Sequence, residues 1–233
     1  MGRDQHDAQD ALLEHLAWIA VQLSDADTLQ TTLQRIVDLG EALLEGCDGV
    51  SLMLIGKGGV VDTPASSSQV AYDSDMAQYA TGEGPCLGAI EHERTIVIDD
   101  LETDERWPDY RARALELGVR SMLSFQLYVT ADSLGALDMY SRKPHAFDRR
   151  SRLVGQVFAA QASAAMKAAL VEAGHETTIR SRDVIGQAKG IVMVRTRVTA
   201  DLAFELLKTR SQERNQKLVE LAEEIVRTGQ IPE

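Results

Sequence analysis

Apolar residues recur at helical spacing over residues 8–23, where Leu12, Leu16, Ile19, Ala20 and Leu23 share one face, so the chain opens with an amphipathic helix. Asp27 or Thr28 is placed to cap a second helix, whose Leu29, Leu33, Ile36, Val37, Ala42 and Leu44 continue to about Glu45 before Gly46 stops it. From Val50 the texture changes. The apolar run Val50–Ile55, the turn Gly56-Lys57-Gly58-Gly59 and Val60-Val61 predict a hairpin. Residues 73–91 return to short helical pieces broken by Gly82-Glu83-Gly84-Pro85, and Thr95–Ile98 is a short strand ending in Asp99-Asp100. Pro108 suits the first turn of a helix through Leu117, which Gly118 closes. Residues 119–128 and 134–141 then predict two paired strands around the polar turn Thr130-Ala131-Asp132-Ser133.

After Asp148 the strand signal ends. Residues 148–173 are Ala-rich and helical, with Leu153, Val157, Ala160, Ala164 and Lys167 on one stripe and Val154, Phe158, Ala165 and Ala168 beside it, a face suited to close helix packing. Gly174-His175 is the one break before a helical run from Ser181, which predicts a module boundary near 174 unless the helix runs straight through. The first helix of the last segment, about 181–195, carries Ile185, Ala188, Ile191 and Val192; Thr199 caps the second, with Asp201 in its first turn. The third sets Leu218, Leu221, Ala222 and Ile225 at i, i+3, i+4 and i+7 and ends at Thr228-Gly229, with Pro232 beyond. So small a bundle buries little surface and needs a partner.

Composition changes this picture in one place. An apolar content of 44%, with no apolar run near the roughly 18 residues of a membrane span, predicts a soluble chain away from membranes. The polar start Met1–Asp7 has neither a secretion nor a transit pattern, so the expected location is cytoplasmic. Two cysteines, Cys47 and Cys86, lack disulfide or metal spacing and fit a reducing compartment. The net charge of −12 argues against nucleic-acid binding by the chain as a whole, but residues 180–217 hold nine Lys/Arg against four acids, a local surplus of five. The remainder therefore carries −17.

RNA affinity comes largely from phosphate neutralisation, and unstacked bases are read by planar or hydrogen-bonding side chains. Arg182 and Lys189 share a helix face with Gly186 and Met193, Arg195 and Arg197 follow, and Lys208, Arg210, Arg214, Asn215 and Lys217 gather near the second interhelical turn. Set against this is a merely solvated surface, with Glu205 and Lys208 an ordinary i, i+3 pair. Cys86 follows Gly84-Pro85 at a helix start, where the dipole lowers a thiol pKa; the alternative is a small buried residue. Cys47 reads as packing. Trp107 and Tyr110 stand at a loop-to-helix entry, as pocket wall or loop anchor. His92 and His145 have no partner at metal spacing, so neither a metal nor haem is assigned and any cofactor stays unknown. No P-loop, GxSxG or HExxH is present, and the adjacent Asp99 and Asp100 would point to opposite faces of a strand, so no enzyme is expected.

Residues 185–226 resemble the ANTAR module of bacterial transcription antitermination regulators, through Gln187-Ala188-Lys189-Gly190-Ile191, Met193, Arg195, Ala203-Phe204, Ser211, Asn215 and Lys217-Leu218. The resemblance implies a three-helix bundle, commonly dimeric, that binds RNA hairpins in nascent transcripts and favours read-through. Arg197 departs from it, standing where a small residue, often Gly, is usual; Lys208 stands where Arg is common. Residues about 28–170 resemble a GAF domain, the sensory module often fused to ANTAR in actinomycete proteins, through Gly82–Cys86, Asp99-Asp100-Leu101, Asp104–Pro108, Gly118–Ser121 and Leu134–Leu137. That implies a mixed sheet flanked by helices with a pocket on one face, for an unnamed small-molecule or protein signal.

The expectation is an α+β chain: an N-terminal helix over 1–27, a GAF sensory domain with a C-terminal connector helix over 28–173, and an all-α ANTAR RNA-binding domain over 174–233. Its function would be signal-responsive antitermination by a homodimer, with Cys86, Trp107 and Tyr110 as candidate ligand-binding residues. The alternatives are a DNA-binding regulator, although no clear helix-turn-helix is present, or a protein-interaction module.

Overall fold

In the computed structural model, which describes residues 2–55, 60–91, 94–130 and 133–232, Thr28 is the residue that caps the second helix. Its Oγ1 accepts from the Thr31 N–H at 3.1 Å while Thr31 Oγ1 accepts from the Thr28 N–H at 3.0 Å, so two orphan donors are satisfied reciprocally. The helices are α1 (Gly2–Ser24), α2 (Leu29–Leu43), α3 (Gln69–Thr81), α4 (Pro85–Glu91), α5 (Pro108–Glu116), α6 (Arg149–Thr196), α7 (Ala200–Glu213) and α8 (Leu218–Thr228). The strands are β1 (Gly49–Ile55), β2 (Val61–Ser66), β3 (Thr95–Ile98), β4 (Ser121–Thr130) and β5 (Ser133–Ser141). The chain divides into two compact units, Met1–Leu170 and Val171–Glu233.

In the first unit the five strands form one sheet in the order β2-β1-β5-β4-β3. Every pairing is antiparallel, which corrects the mixed sheet that the resemblance implied: β1–β2 and β4–β5 are consecutive neighbours, and the remaining links return the chain so that neighbours always oppose. Side chains alternate across such a sheet. One face is largely apolar, with Leu52, Leu137 and Phe125 aligned across β1, β5 and β4 and packed with Ile19, Ile36, Val37 and Phe158 from α1, α2 and α6. Gly155 makes the approach of α6 possible, because a Cβ there would come within 2.6 Å of the Phe125 ring.

The opposite face, one residue out of phase, carries Met53, Met122, Ala136, Asp138 and Tyr140 and receives α3, α4 and α5. A register shift between Leu52 and Leu54 turns Thr63 of the edge strand β2 toward this face, beside Asp75 and Tyr79.

Of the two readings at Gly174-His175, the uninterrupted helix holds: α6 continues through it. A mid-helix glycine costs only about 1 kcal/mol relative to alanine and need not end a helix. By length and composition alone α6 is apolar enough to cross a membrane, against the sequence-based reading; its Val154, Phe158, Ala162 and Met166 nevertheless serve as core. In the second unit Ala188 and Val192 of α6, Ala203 and Leu207 of α7, and Leu221, Ala222 and Ile225 of α8 form an apolar core. Thr199 caps α7, and Gly229, at φ 64°, closes α8.

Candidate functional site

The basic residues of the second unit fall into two electrostatic classes. Arg182, Arg195 and Arg197 are exposed and Lys189 is half-buried, and none has an ion-pair partner among the described residues. Beside them Gly186 and Gly190 leave open space where a Cβ would stand, so the backbone there is bare. At the α7–α8 end each cation already faces an acid: Lys208 with Glu205 at 3.2 Å, Arg210 with Glu213 at 3.3 Å, Arg214 with Glu224 at 3.4 Å and Lys217 with Glu220 at 3.8 Å. Such exposed pairs contribute little to stability, but each carboxylate offsets the positive potential a phosphate would meet. Asn215 occupies the turn between these helices at φ 48°, and Arg197 has φ 54°. The unusual position of Arg197 is thus a left-handed one, which glycine fills most easily.

In the first unit, Gly82–Cys86 is a junction of three helices. Gly82 ends α3 at φ 70°, and Glu83 Oε1 accepts from the Asp109 and Tyr110 N–H groups at 2.6 and 3.0 Å, closing the start of α5. Gly84 lies so near Gln78 that a Cβ would stand 2.3 Å from Gln78 Oε1, and that oxygen accepts from the Cys86 N–H at 2.9 Å. Trp107, in contact with the Arg106 guanidinium at 4.5 Å, precedes Pro108 at the start of α5. Tyr110 is fully buried, its hydroxyl 2.8 Å from Ser74 Oγ.

Behind this junction lies a polar interior. Ser51, Asp138 and Ser124 align across β1, β5 and β4, all fully buried. From α3, Asp75 accepts from Thr63 Oγ1 at 2.8 Å and from the Tyr140 hydroxyl. Ser51 Oγ lies beside Asp75 and Ser124 Oγ beside Asp138, yet both hydroxyls and both Asp138 oxygens lack a hydrogen bond of proper geometry.

Burial sets the ionisation here. It lifts the Asp75 carboxyl to about 6 against the hydrogen bonds from Tyr140 and Thr63. Burial and then the charge of Asp75 hold Asp138 well above the carboxylate range. Burial likewise raises the Tyr79, Tyr110 and Tyr140 hydroxyls. Cys86 is fully buried with Met53 Sδ at 3.5 Å, and burial followed by the nearby Asp138 pushes its thiol up. Of the two readings of Cys86, the small buried residue fits and the dipole-activated thiol does not: desolvation outweighs the helix start. Burial also lifts Cys47 to about 12. His145 sits in a turn at φ 54°, and His92 lies outside the described residues.

Residues 26–167 match the GAF domain family model, and residues 174–226 match that of the ANTAR domain. The chain belongs to the GAF family and carries an ANTAR module. GAF domains are sensors and ANTAR domains are RNA-binding antitermination modules, so this GAF–ANTAR protein has a regulatory architecture in which no enzymatic domain is found. Among solved structures it is similar to the GAF domain of a phosphoenolpyruvate-protein phosphotransferase from Coxiella burnetii (TM-score 0.55, 20% identity, 70% of this chain and 96% of that one). It is also similar to a free methionine-R-sulfoxide reductase from Neisseria meningitidis in complex with its substrate (TM-score 0.55, 17%, 69% and 91%). A third likeness is CepR2, an N-acylhomoserine lactone dependent LuxR family transcription factor from Burkholderia cenocepacia (TM-score 0.56, 18%, 70% and 99%). At these identities the likeness is one of fold. Comparison with curated proteins returned no match.

Within the GAF–ANTAR protein, the sequence pointed to Cys86, Trp107 and Tyr110 but missed Asp75 and Asp138, although Cys86 and both acids share one interior. A signal existed. Asp138 is a lone carboxylate inside Leu134-Gly135-Ala136-Leu137-Asp138-Met139-Tyr140, and Ser51 and Ser124 likewise interrupt apolar strands.

Proposed function

We propose that this GAF–ANTAR protein is a signal-responsive, cytoplasmic RNA-binding regulator that promotes antitermination by binding hairpins in nascent mRNA. The observation that carries the reading is the uncompensated positive surface of Arg182, Lys189, Arg195 and Arg197 within the ANTAR match, flanking the open backbone of Gly186 and Gly190. A phosphate chain can approach a bare helix closely, and each neutralised phosphate releases counterions. Lys208, Arg210, Arg214, Asn215 and Lys217 form a second contact area, which has to exchange its carboxylate partners for phosphates and so contributes less per residue.

The protein works as a homodimer. Leu153, Val157 and Val171 are exposed, and with Ala160, Ala164 and Lys167 they repeat on α6 at alternating intervals of four and three residues, the spacing of a helix–helix seam. The signal, a small molecule or partner, acts on the GAF domain near Cys86, Trp107 and Tyr110, and regulates by preferring one helix arrangement over another.

The test is fluorescence anisotropy with a two-hairpin RNA and a duplex DNA control at two salt concentrations. RNA should bind preferentially, and Lys189→Ala should weaken binding several-fold and lower the salt slope by about 1, with Lys208→Ala weaker in effect. Preference for the duplex would instead support a DNA-binding regulator, and no binding to either would leave an interaction module.

A further inference from the structure

The polar interior of the GAF domain holds six ionisable side chains that influence one another: Asp75, Tyr79, Cys86, Tyr110, Asp138 and Tyr140. Every one of them forms an anion on losing its proton, and no Lys, Arg or His appears among the groups acting on them. Buried acids are ordinarily paired with a cation or with hydrogen-bond donors. Here neither Asp138 oxygen makes a hydrogen bond of proper geometry, although the Ser124 hydroxyl and the Cys86 thiol lie beside it, and the Ser51 hydroxyl beside Asp75 is misaligned in the same way. What the site lacks is positive charge.

One ligand atom each of Asp75, Cys86 and Asp138 lies within 4.8 Å of the others. Some point therefore lies within about 2.8 Å of all three atoms, which is about half an ångström beyond the bonds of about 2.0–2.3 Å that carboxylate and thiolate make to a tetrahedral ion. The ligands come from three elements, α3, α4 and β5, which the Gln78 bridge to the Cys86 N–H and the Tyr140 bridge to Asp75 hold in place.

We propose that Asp75, Cys86 and Asp138 form a buried site for a divalent transition-metal ion. A sulfur donor beside two carboxylates selects a zinc-like ion and disfavours Mg²⁺ and Ca²⁺, which take oxygen ligands. On binding, the thiol proton and any carboxyl protons leave to solvent and the ion takes their place. No electron is transferred, so the site needs no oxidant. The inference gives a chemical class to the signal of the sensory reading and rests on that reading only for its regulatory meaning.

The full-length protein, freed of metal with a chelator, is titrated with Co²⁺ and separately with Zn²⁺. One ion per chain should be retained after gel filtration, with a thiolate-to-cobalt charge-transfer band, and Zn²⁺ should raise the Tm of the unit that contains both tryptophans. Cys86→Ser should abolish the band and Cys47→Ser should leave it. Should Cys86→Ser not fold, Asp138→Asn should lower Co²⁺ affinity at least tenfold. No retained ion, as expected of an interior filled by water alone, would overturn the site, as would a band that survives Cys86→Ser or an Asp138→Asn affinity equal to wild type. RNA is absent from this experiment, so its failure and that of the antitermination reading are distinguishable.

Discussion

The two units of the chain treat polar groups in opposite ways. All the buried polar and charged side chains among the described residues, Asp75, Gln78 and Asp138 with seven Ser and Thr, belong to the first unit. The core of the second is purely apolar and its charges lie at the surface. A buried ionisable group weakens a fold yet responds sharply to its surroundings, whereas a surface cation leaves the fold alone and meets partners directly. The division follows function: the sensor keeps its chemistry inside, and the nucleic-acid module keeps it outside.

The sharpest way to break the comparison is to damage one interior at a time. Leu221 is fully buried in the small core of α6, α7 and α8, so Leu221→Ala should cost about 2–5 kcal/mol. For so small a unit that is most of its stability. Both tryptophans and all five tyrosines precede residue 171, so tryptophan fluorescence follows the first unit alone. The variant should lose the low-temperature part of the helical far-UV transition while fluorescence melts as in wild type. A fluorescence transition that moves by the same amount would mean that the units do not unfold separately.

The next effect is specific to the polar interior. Asp75 is lifted from 3.8 to about 6 by burial. An acid whose folded pKa is raised contributes stability that is fully present below the unfolded value and is lost as the pH rises through the folded one. With a chelator present, the first unit should therefore lose about 2 kcal/mol between pH 4 and pH 6 through this group. Asp75→Asn should make that slope shallower, leaving the part that the equally buried Asp138 contributes over the same window, and should leave the second unit's transition unchanged. Denaturant titrations followed by tryptophan fluorescence at several pH values give the answer, and an equally steep loss in Asp75→Asn would move the responsibility to another group.

The same contrast decides what was legible in the sequence. α8 was read with its end correctly placed, because Leu221, Ala222 and Ile225 are apolar at helical spacing and Gly229 follows. The start of α3 was missed by several residues, because its inward stripe, Ala71, Ser74, Asp75 and Gln78, is mostly polar, and a periodicity that counts apolar residues passes over it. For the same reason Asp138 and Asp75 escaped notice, whereas the motif residues Gly82–Cys86 were visible through their glycines and proline. The antiparallel sheet order was not legible, since the pairing of β1 with β5 joins residues 79 to 91 positions apart. Surface cations, by contrast, need only be counted, although which of them carry a neutralising partner emerges only in three dimensions.

The smallest effect tests whether the surface charges really leave the fold alone. Arg197 stands at φ 54° between α6 and α7, and a side chain in that conformation costs about 1–2 kcal/mol. Glycine removes the penalty but gives back roughly 0.5–1 kcal/mol in chain entropy. Arg197→Gly should thus stabilise the second unit by at most about 1 kcal/mol while weakening RNA binding through the loss of one uncompensated charge. Asn215→Gly, at φ 48°, should change stability less, because Asn already tolerates the left-handed region. Far-UV melting and RNA anisotropy on the same samples separate the two consequences. If Arg197→Gly lowered stability, the guanidinium would be anchoring the turn, and charge in this unit would no longer be independent of its fold.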